Sequence, residues 1–230
     1  MPKRAHSHIP ALRAITGCNR RQCLALTTAS LLGGLAACGK TTGKAKPLGS
    51  GAVVLALGDS LTYGVGATQD AAYPARLAQL TGWNVINAGI SGETSTETLQ
   101  RLPELLARHN PQLVIVSIGG NDFLKRQSQQ ATRDNVHAIC EQALQSGAQV
   151  LLVAVPQASL TAALGHISDH PLFAEVASQL EIPLMRDGWS SILSDENLLA
   201  DRVHPNAQGY EKFTSKLVDT LREAGLLLRG

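Results

Sequence analysis

Four short apolar runs, Ala52–Leu57, Asn84–Asn87, Leu113–Ile118 and Val150–Val155, recur along the chain with helical patterns between them. Three are nearly continuous in apolar residues, and none alternates cleanly between apolar and polar. Strands covered on both faces read this way, which points to a parallel sheet with helices packed on each side. Ile182–Met185 is a weaker fifth candidate. The intervening helices are expected over Pro74–Leu80, Thr96–Arg108, Asp134–Gln145 and Phe173–Leu180. Pro74 stands near a helix start, Pro111 lies beyond a helix end, and Gly147 stops the third helix. In the last helix Asn206 is the cap, and Tyr210, Phe213, Leu217 and Leu221 recur at helical spacing. Glu211, Lys212, Lys216, Asp219, Arg222 and Glu223 mostly fill its outer face. Strands alternating with helices predict an α/β chain with right-handed crossovers. A doubly wound three-layer α/β/α sandwich with a five-stranded parallel sheet, in order 2-1-3-4-5, fits residues 51–230 as one domain.

The segment before that domain reads as an address. Residues 1–37 contain Lys3, Arg4, Arg13, Arg20 and Arg21 and no acidic residue. A 14-residue stretch rich in Leu, Ala, Thr and Gly follows, from Leu24 to Ala37, too short to span a bilayer stably. It ends in Leu35-Ala36-Ala37-Cys38, where small residues suit a signal peptidase and Cys38 supplies a thiol for lipid attachment. The segment resembles a bacterial lipoprotein signal, with 1–37 as the signal peptide and 38–50 as lipidated Cys38 and a flexible tether. The plainer reading is a cleaved signal that happens to contain a cysteine. Arg20-Arg21 matches a twin-arginine export signal in part, and a basic flank for general secretion explains it equally well. The expected location is the cell envelope, with the protein held at the membrane through the lipid on Cys38. Gly39 rather than Asp follows that cysteine, which in a Gram-negative cell favours the outer membrane.

Without the five basic leader residues, 15 of the 20 basic residues remain against 18 acidic ones, a net charge of −3. With aromatics at 3%, nucleic acid is not an expected partner. Of the four cysteines only Cys38 and Cys140 follow residue 37, so no internal disulfide is expected. Cys140 sits in an apolar-periodic stretch and reads as a small buried hydrophobe.

In open α/β sheets ligands bind at the carboxyl ends of the strands. Gly58-Asp59-Ser60-Leu61-Thr62 follows the first strand, Ala88-Gly89 the second and Gly119-Gly120-Asn121-Asp122 the third. Asp201-Arg202-Val203-His204-Pro205-Asn206 precedes the last helix. Each string alone reads as a turn or a solvated loop. Together they supply an acyl-transfer site. Ser60 is the expected nucleophile, at a helix start where free N–H groups favour developing negative charge. His204 is the expected base, kept out of the helix by Pro205. Asp201, three residues earlier, orients the imidazole. The oxyanion hole is expected from the Ser60 N–H, the Gly89 N–H and the Asn121 amide. In a 2-1-3-4-5 sheet these lie on three adjacent strand ends. Asn121 is expected on a sharp, exposed turn after two glycines.

These residues resemble the SGNH (GDSL) hydrolase superfamily, of the bacterial arylesterase, thioesterase and lysophospholipase type. The first block is Gly58–Thr62, the second holds Gly89 in Asn87-Ala88-Gly89-Ile90-Ser91-Gly92, the third is Gly119–Asp122 and the last is Asp201–Asn206. The resemblance covers roughly residues 52–225. It implies a flavodoxin-like three-layer fold, no metal or other cofactor, and hydrolysis of carboxylic esters or thioesters, with a small-molecule or lipid ester as substrate. It also implies the roles given above. The chain departs from the pattern at Arg202, where a glycine often stands, so a cation is expected near the site. Residues 157–172, including Leu160, Leu164 and Ile167, are expected to line the acyl pocket, with His166 and His170 as exposed loop residues. Removal of O-acetyl groups from an envelope glycan uses the same residues and is the alternative activity. A lipid-binding lipoprotein without catalysis is the alternative from another class.

Overall fold

A computed structural model describes residues 45–157 and 167–228. The leader, Cys38, Leu160, Leu164 and His166 lie outside the described residues.

Five strands form one parallel sheet in the order β2-β1-β3-β4-β5. They are β1 Val53–Gly58, β2 Asn84–Gly89, β3 Leu113–Ser117, β4 Gln149–Val153 and β5 Leu184–Met185. The register runs Gly58↔Gly89 on one side of β1 and Gly58↔Ser117 on the other, so three strand ends are level. β3 is buried throughout, and β1 and β4 are buried except at their first residues. This is what near-continuous apolar runs dictate when helices cover both faces. The edge strand β2 is half exposed, as its asparagines require. The expected 2-1-3-4-5 sheet is therefore the observed one. β5 shortens to two residues, and its neighbour Pro183 contributes only a carbonyl, accepting from Leu152 N at 3.0 Å.

The helices are α1 Ser60–Tyr63, α2 Tyr73–Thr81, α3 Ser95–His109, α4 Gly120–Leu124, α5 Gln129–Gln145, α6 Pro171–Leu180, α7 Gly188–Leu193 and α8 Ala207–Glu223, with a 3₁₀ turn at Glu196–Leu198. Asn206 caps α8, its Oδ1 accepting from Gln208 N and Gly209 N at 3.0 Å each. Tyr210, Phe213, Leu217 and Leu221 of α8 are fully buried. α7 was not legible in the pattern, yet its Trp189 stacks on Phe213 at 3.5 Å between ring centres and donates to Ser117 Oγ at 2.9 Å. Cys140 is buried in the core, which pushes its thiol up to about 12.

Two expectations need correction. The last residues of the expected tether belong to the domain: Leu48 is buried, its N–H donates to Leu226 O at 2.9 Å, and Lys46 N donates to Gln149 Oε1 at 2.7 Å. His170 is not an exposed loop residue. It caps α6 by accepting from Leu172 N, and its ring stacks on Phe123 at 4.6 Å. Burial of the ring holds its pKa below the usual histidine value.

Candidate active site

The first strand ends by turning sharply into a helix. Asp59 caps α1, its Oδ1 accepting from Leu61 N at 3.0 Å, and Ser60 is the first helical residue. Helix geometry leaves the Ser60 N–H without a partner in its own helix. Ser60 stands at the C-terminal edge of the sheet and is 9% exposed as a residue.

A tight turn brings a base to it from 144 residues further along the chain. Leu199 and Pro205 pair across the turn, and Ala200 N donates to His204 O at 2.9 Å. The Asp201 carboxylate holds the turn together. Its Oδ1 accepts from Val203 N and His204 N, each at 2.9 Å. Its Oδ2 takes His204 Nδ1 at 2.7 Å. The Val203 N–H and then the His204 ring hold the Asp201 pKa below the usual carboxylate range. With Nδ1–H donated to a carboxylate, Nε2 is left to accept, and it lies 3.0 Å from Ser60 Oγ. Ser60, His204 and Asp201 thus form one hydrogen-bonded chain, as the sequence led us to expect.

Asn121 reaches the same cleft from the end of β3. Gly119, at φ +116, makes a left-handed bend that only glycine takes without strain, and α4 starts immediately after it. The expected exposed turn is therefore a short helix. Its Asp122 is completely buried, accepting from Ser95 N at 2.9 Å and Ser95 Oγ at 2.5 Å. Asn121 Nδ2 donates to Glu93 O at 3.0 Å and, over a long 3.4 Å, to Asp59 Oδ2.

Gly89 stands at the end of β2 as expected, level with Gly58, but its N–H is not free to meet an oxyanion. Its N–H donates to Asn87 Oδ1 at 3.0 Å, so it is already engaged. A Cβ there would meet Tyr63 N at 2.2 Å and Thr62 C at 2.7 Å, so this glycine lets α1 pack against the end of β2. The residue that lines the cleft is Gly92, three positions later. Among the described residues its N–H donates to no acceptor. Strand-end logic chose Gly89 because β2 does end there, but the chain projects four more residues before the α3 cap at Thr94. The capping box Thr94-Ser95-Thr96-Glu97 was the signal that marks where that projection stops, with Gly92 just before it.

The projecting loop is fixed from below. Glu93 is buried and forms a two-pronged ion pair with Arg101 (Nε to Oε1, 2.5 Å), while Thr98 Oγ1 donates to Glu93 Oε2 at 2.9 Å. Arg101 also donates to Ala88 O at 2.7 Å, tying the loop to β2. No motif string points to Glu93 or Arg101, and Asp122 stands in the third block without a role assigned to it. Asp59 completes this set of buried acids. Burial raises its pKa to about 7, against the Leu61 N–H and the His204 ring, and repulsion from Asp122 and Glu93 adds to the rise.

The cleft is a cavity of about 410 Å³. Ser60, His204, Asn121 and Gly92 form its polar end, and Leu61, Leu124, Val155, Ile167 and Leu193 form much of its apolar wall. Ile167 and Gln157 line it as expected of the 157–172 segment. Among the described residues, no three His, Cys, Asp or Glu side chains gather as metal ligands would. A hydroxyl beside a carboxylate-held imidazole, facing N–H donors at the end of an apolar cavity, suits acyl transfer.

Residues 56–212 match the GDSL-like Lipase/Acylhydrolase family. The chain is 33% identical over 159 residues to Thioesterase 1/protease 1/lysophospholipase L1 of Escherichia coli (strain K12), covering 66% of this chain and 75% of that protein. It is 26% identical to an arylesterase of Vibrio mimicus, covering 67% of this chain and 80% of that protein. Among solved structures it resembles AlinE4, an SGNH-hydrolase family esterase, at 28% identity and a TM-score of 0.58, covering 80% of this chain and all (100%) of that one.

Proposed function

The chain belongs to the GDSL-like lipase/acylhydrolase family and is a serine ester hydrolase, and within that family we propose that it acts through an acyl-enzyme on Ser60. The observation that carries this reading is the hydrogen-bonded chain from Ser60 through His204 to Asp201, 3.0 Å and 2.7 Å long, at the mouth of an apolar cavity. Ser60 Oγ attacks the ester carbonyl while its proton passes to His204 Nε2, and Asp201 stabilises the imidazolium. The negative oxygen is held by the Ser60 N–H, the Gly92 N–H and Asn121 Nδ2, with Gly92 in the role expected of Gly89. The long Asn121–Asp59 contact is the one given up to the oxyanion, and the Glu93 carbonyl keeps the amide aimed. His204 then protonates the departing alkoxide. Water repeats the attack on the acyl-enzyme, releases the acid and returns the proton to Ser60.

The apolar wall supports an acyl chain as the group bound deepest, so carboxylic esters and thioesters of fatty acids are the proposed substrates. A series of p-nitrophenyl and thioester substrates of rising acyl length tests this. Turnover should fall roughly 10⁶-fold in Ser60→Ala. A Ser60→Ala protein that keeps most of its activity overturns the mechanism. No hydrolysis of any member by the folded protein would overturn fatty-acyl esters as the substrates and point to the glycan O-acetyl ester. The leader supports an envelope location with a lipid on Cys38. Labelled fatty acid should enter the wild-type chain in cells, and its undiminished entry into Cys38→Ala would remove that anchor.

A further inference from the structure

One side chain of the cleft has no place in the mechanism above. Arg202 lines the cavity beside His204 and is exposed. Arg76, Arg101, Arg108, Arg133 and Arg222 each pair with a carboxylate, whereas Arg126 and Arg186, outside the cavity lining, have no ion pair among the described residues. Arg202 has no ion pair and no hydrogen bond among the described residues. Its neighbour Asp201 offers it little, because that carboxylate already serves two backbone N–H groups and the His204 ring. The other charged side chain lining the cavity besides His204 is Asp59, which is buried beneath the floor and hydrogen-bonded there to Leu61 N. Lys125, outside the cavity lining, is engaged, its Nζ donating to Gly92 O at 2.9 Å. Among the described residues, the cavity lining thus presents one unengaged guanidinium, at the rim of a largely apolar wall.

We infer that Arg202 selects esters whose leaving alcohol carries a formal negative charge. This rests on the serine-hydrolase reading of the same site. The placement on the leaving-group side follows from proton transfer. The departing oxygen must reach His204 Nε2 to be protonated, so the alcohol half leaves over the turn that carries both His204 and Arg202. The same argument leaves the acyl half to the apolar part of the cavity lined by Leu61, Leu124 and Val155. A guanidinium takes carboxylate, phosphate or sulfonate oxygens through paired N–H donors, and all three are the same chemistry here. Because Arg202 is solvent-exposed, the selection is modest and screened by salt.

The test compares two esters of one acid, 4-butyryloxybenzoate and 4-butyryloxybenzamide, which differ in the charge of the leaving phenol. Their intrinsic reactivities cancel when the charged-to-neutral ratio of kcat/KM is compared between proteins. The ratio should fall about fivefold in Arg202→Gln at low salt, fall less in Arg202→Lys, and invert in Arg202→Glu. The wild-type ratio should also shrink as salt rises. A misfolded loop would lower both esters together and leave the ratio alone. A ratio unmoved by Arg202→Gln overturns the inference. So does a charge effect that appears only with p-nitrophenyl hemiglutarate against p-nitrophenyl butyrate, where the anion is on the acyl side. Long-chain versions of the first pair separate a charged lipid from a small soluble ester as the source of the anion, by which chain length gives the larger kcat/KM. The neutral benzamide ester checks the underlying reading by itself: if it is not turned over through Ser60, the hydrolase mechanism fails, whereas Ser60-dependent turnover with an Arg202-independent ratio sinks only the selection.

Discussion

The wall of the cleft that carries His204 is an exposed turn, and the wall that carries Gly92 and Asn121 rests on buried carboxyl groups. In the first, one half-exposed carboxylate gathers two backbone N–H groups and an imidazole within four residues. In the second, Glu93 is locked to Arg101 and Thr98, and Asp122 to Ser95, all buried but for the partly exposed Arg101. The difference matches what each wall must do. The imidazole has to serve Ser60 and then the leaving oxygen, so a local tether that fixes its tautomer is enough. Oxyanion donors stabilise charge only if they are already aimed when it appears, which calls for rigid support. A substitution in the exposed wall should therefore damage chemistry without unfolding the domain, and one in the buried support should damage both.

Asp201→Asn breaks this contrast most severely if it is wrong. The amide presents a donor to Nδ1 and forces the tautomer in which Nε2 cannot accept the Ser60 proton. Turnover should fall on the order of 10⁴-fold, with thermal unfolding nearly unchanged. A large loss of stability would show the turn to be a structural strut. Arg101→Gln strips the buried Glu93 of its counter-charge and should cost about 3–5 kcal/mol in chemical denaturation, together with a loss of activity as Gly92 and Asn121 lose their footing. Unchanged stability would mean that water already reaches Glu93. The smallest effect concerns Asp59, which sits under both walls. Its folded pKa, near 7, is above the unfolded value, so the native state binds the extra proton between about pH 4 and 7. Its contribution to stability is therefore present in acid and lost as pH rises through about 7. In Asp59→Asn the fall in melting temperature between pH 5 and 8 should flatten, and an unaltered slope would assign it to other groups.

The same contrast separates what the sequence revealed from what it hid. The exposed wall is local: Asp201, His204, Pro205 and the Asn206 cap lie within six residues, and their geometry follows from turn chemistry. The central strands were equally legible, because β1, β3 and β4 are apolar along nearly all their length. The buried wall is assembled from β2, α3 and α4, and although Glu93 and Thr98 are near in the chain, Arg101 reaches back to Ala88 and Asp122 to Ser95, residues that no short window contains. Asp122 and Ser95 are 27 residues apart and read as ordinary turn and cap residues until they meet. Gly89 and Gly92 look interchangeable in a string. The capping box after the loop hints at Gly92, and the register of β2 against β1 assigns one glycine to packing against α1 and the other to the cleft. α7 escaped notice because six residues are too few to display a helical period.

The central claim is that Ser60 is a nucleophile activated by His204. The most direct test exposes the domain to a labelled fluorophosphonate and locates the adduct by peptide mass spectrometry. A single adduct on Ser60, formed far more slowly in His204→Ala, is the expected result. An adduct on another residue, or equal labelling of Ser60 in the two proteins, would contradict it.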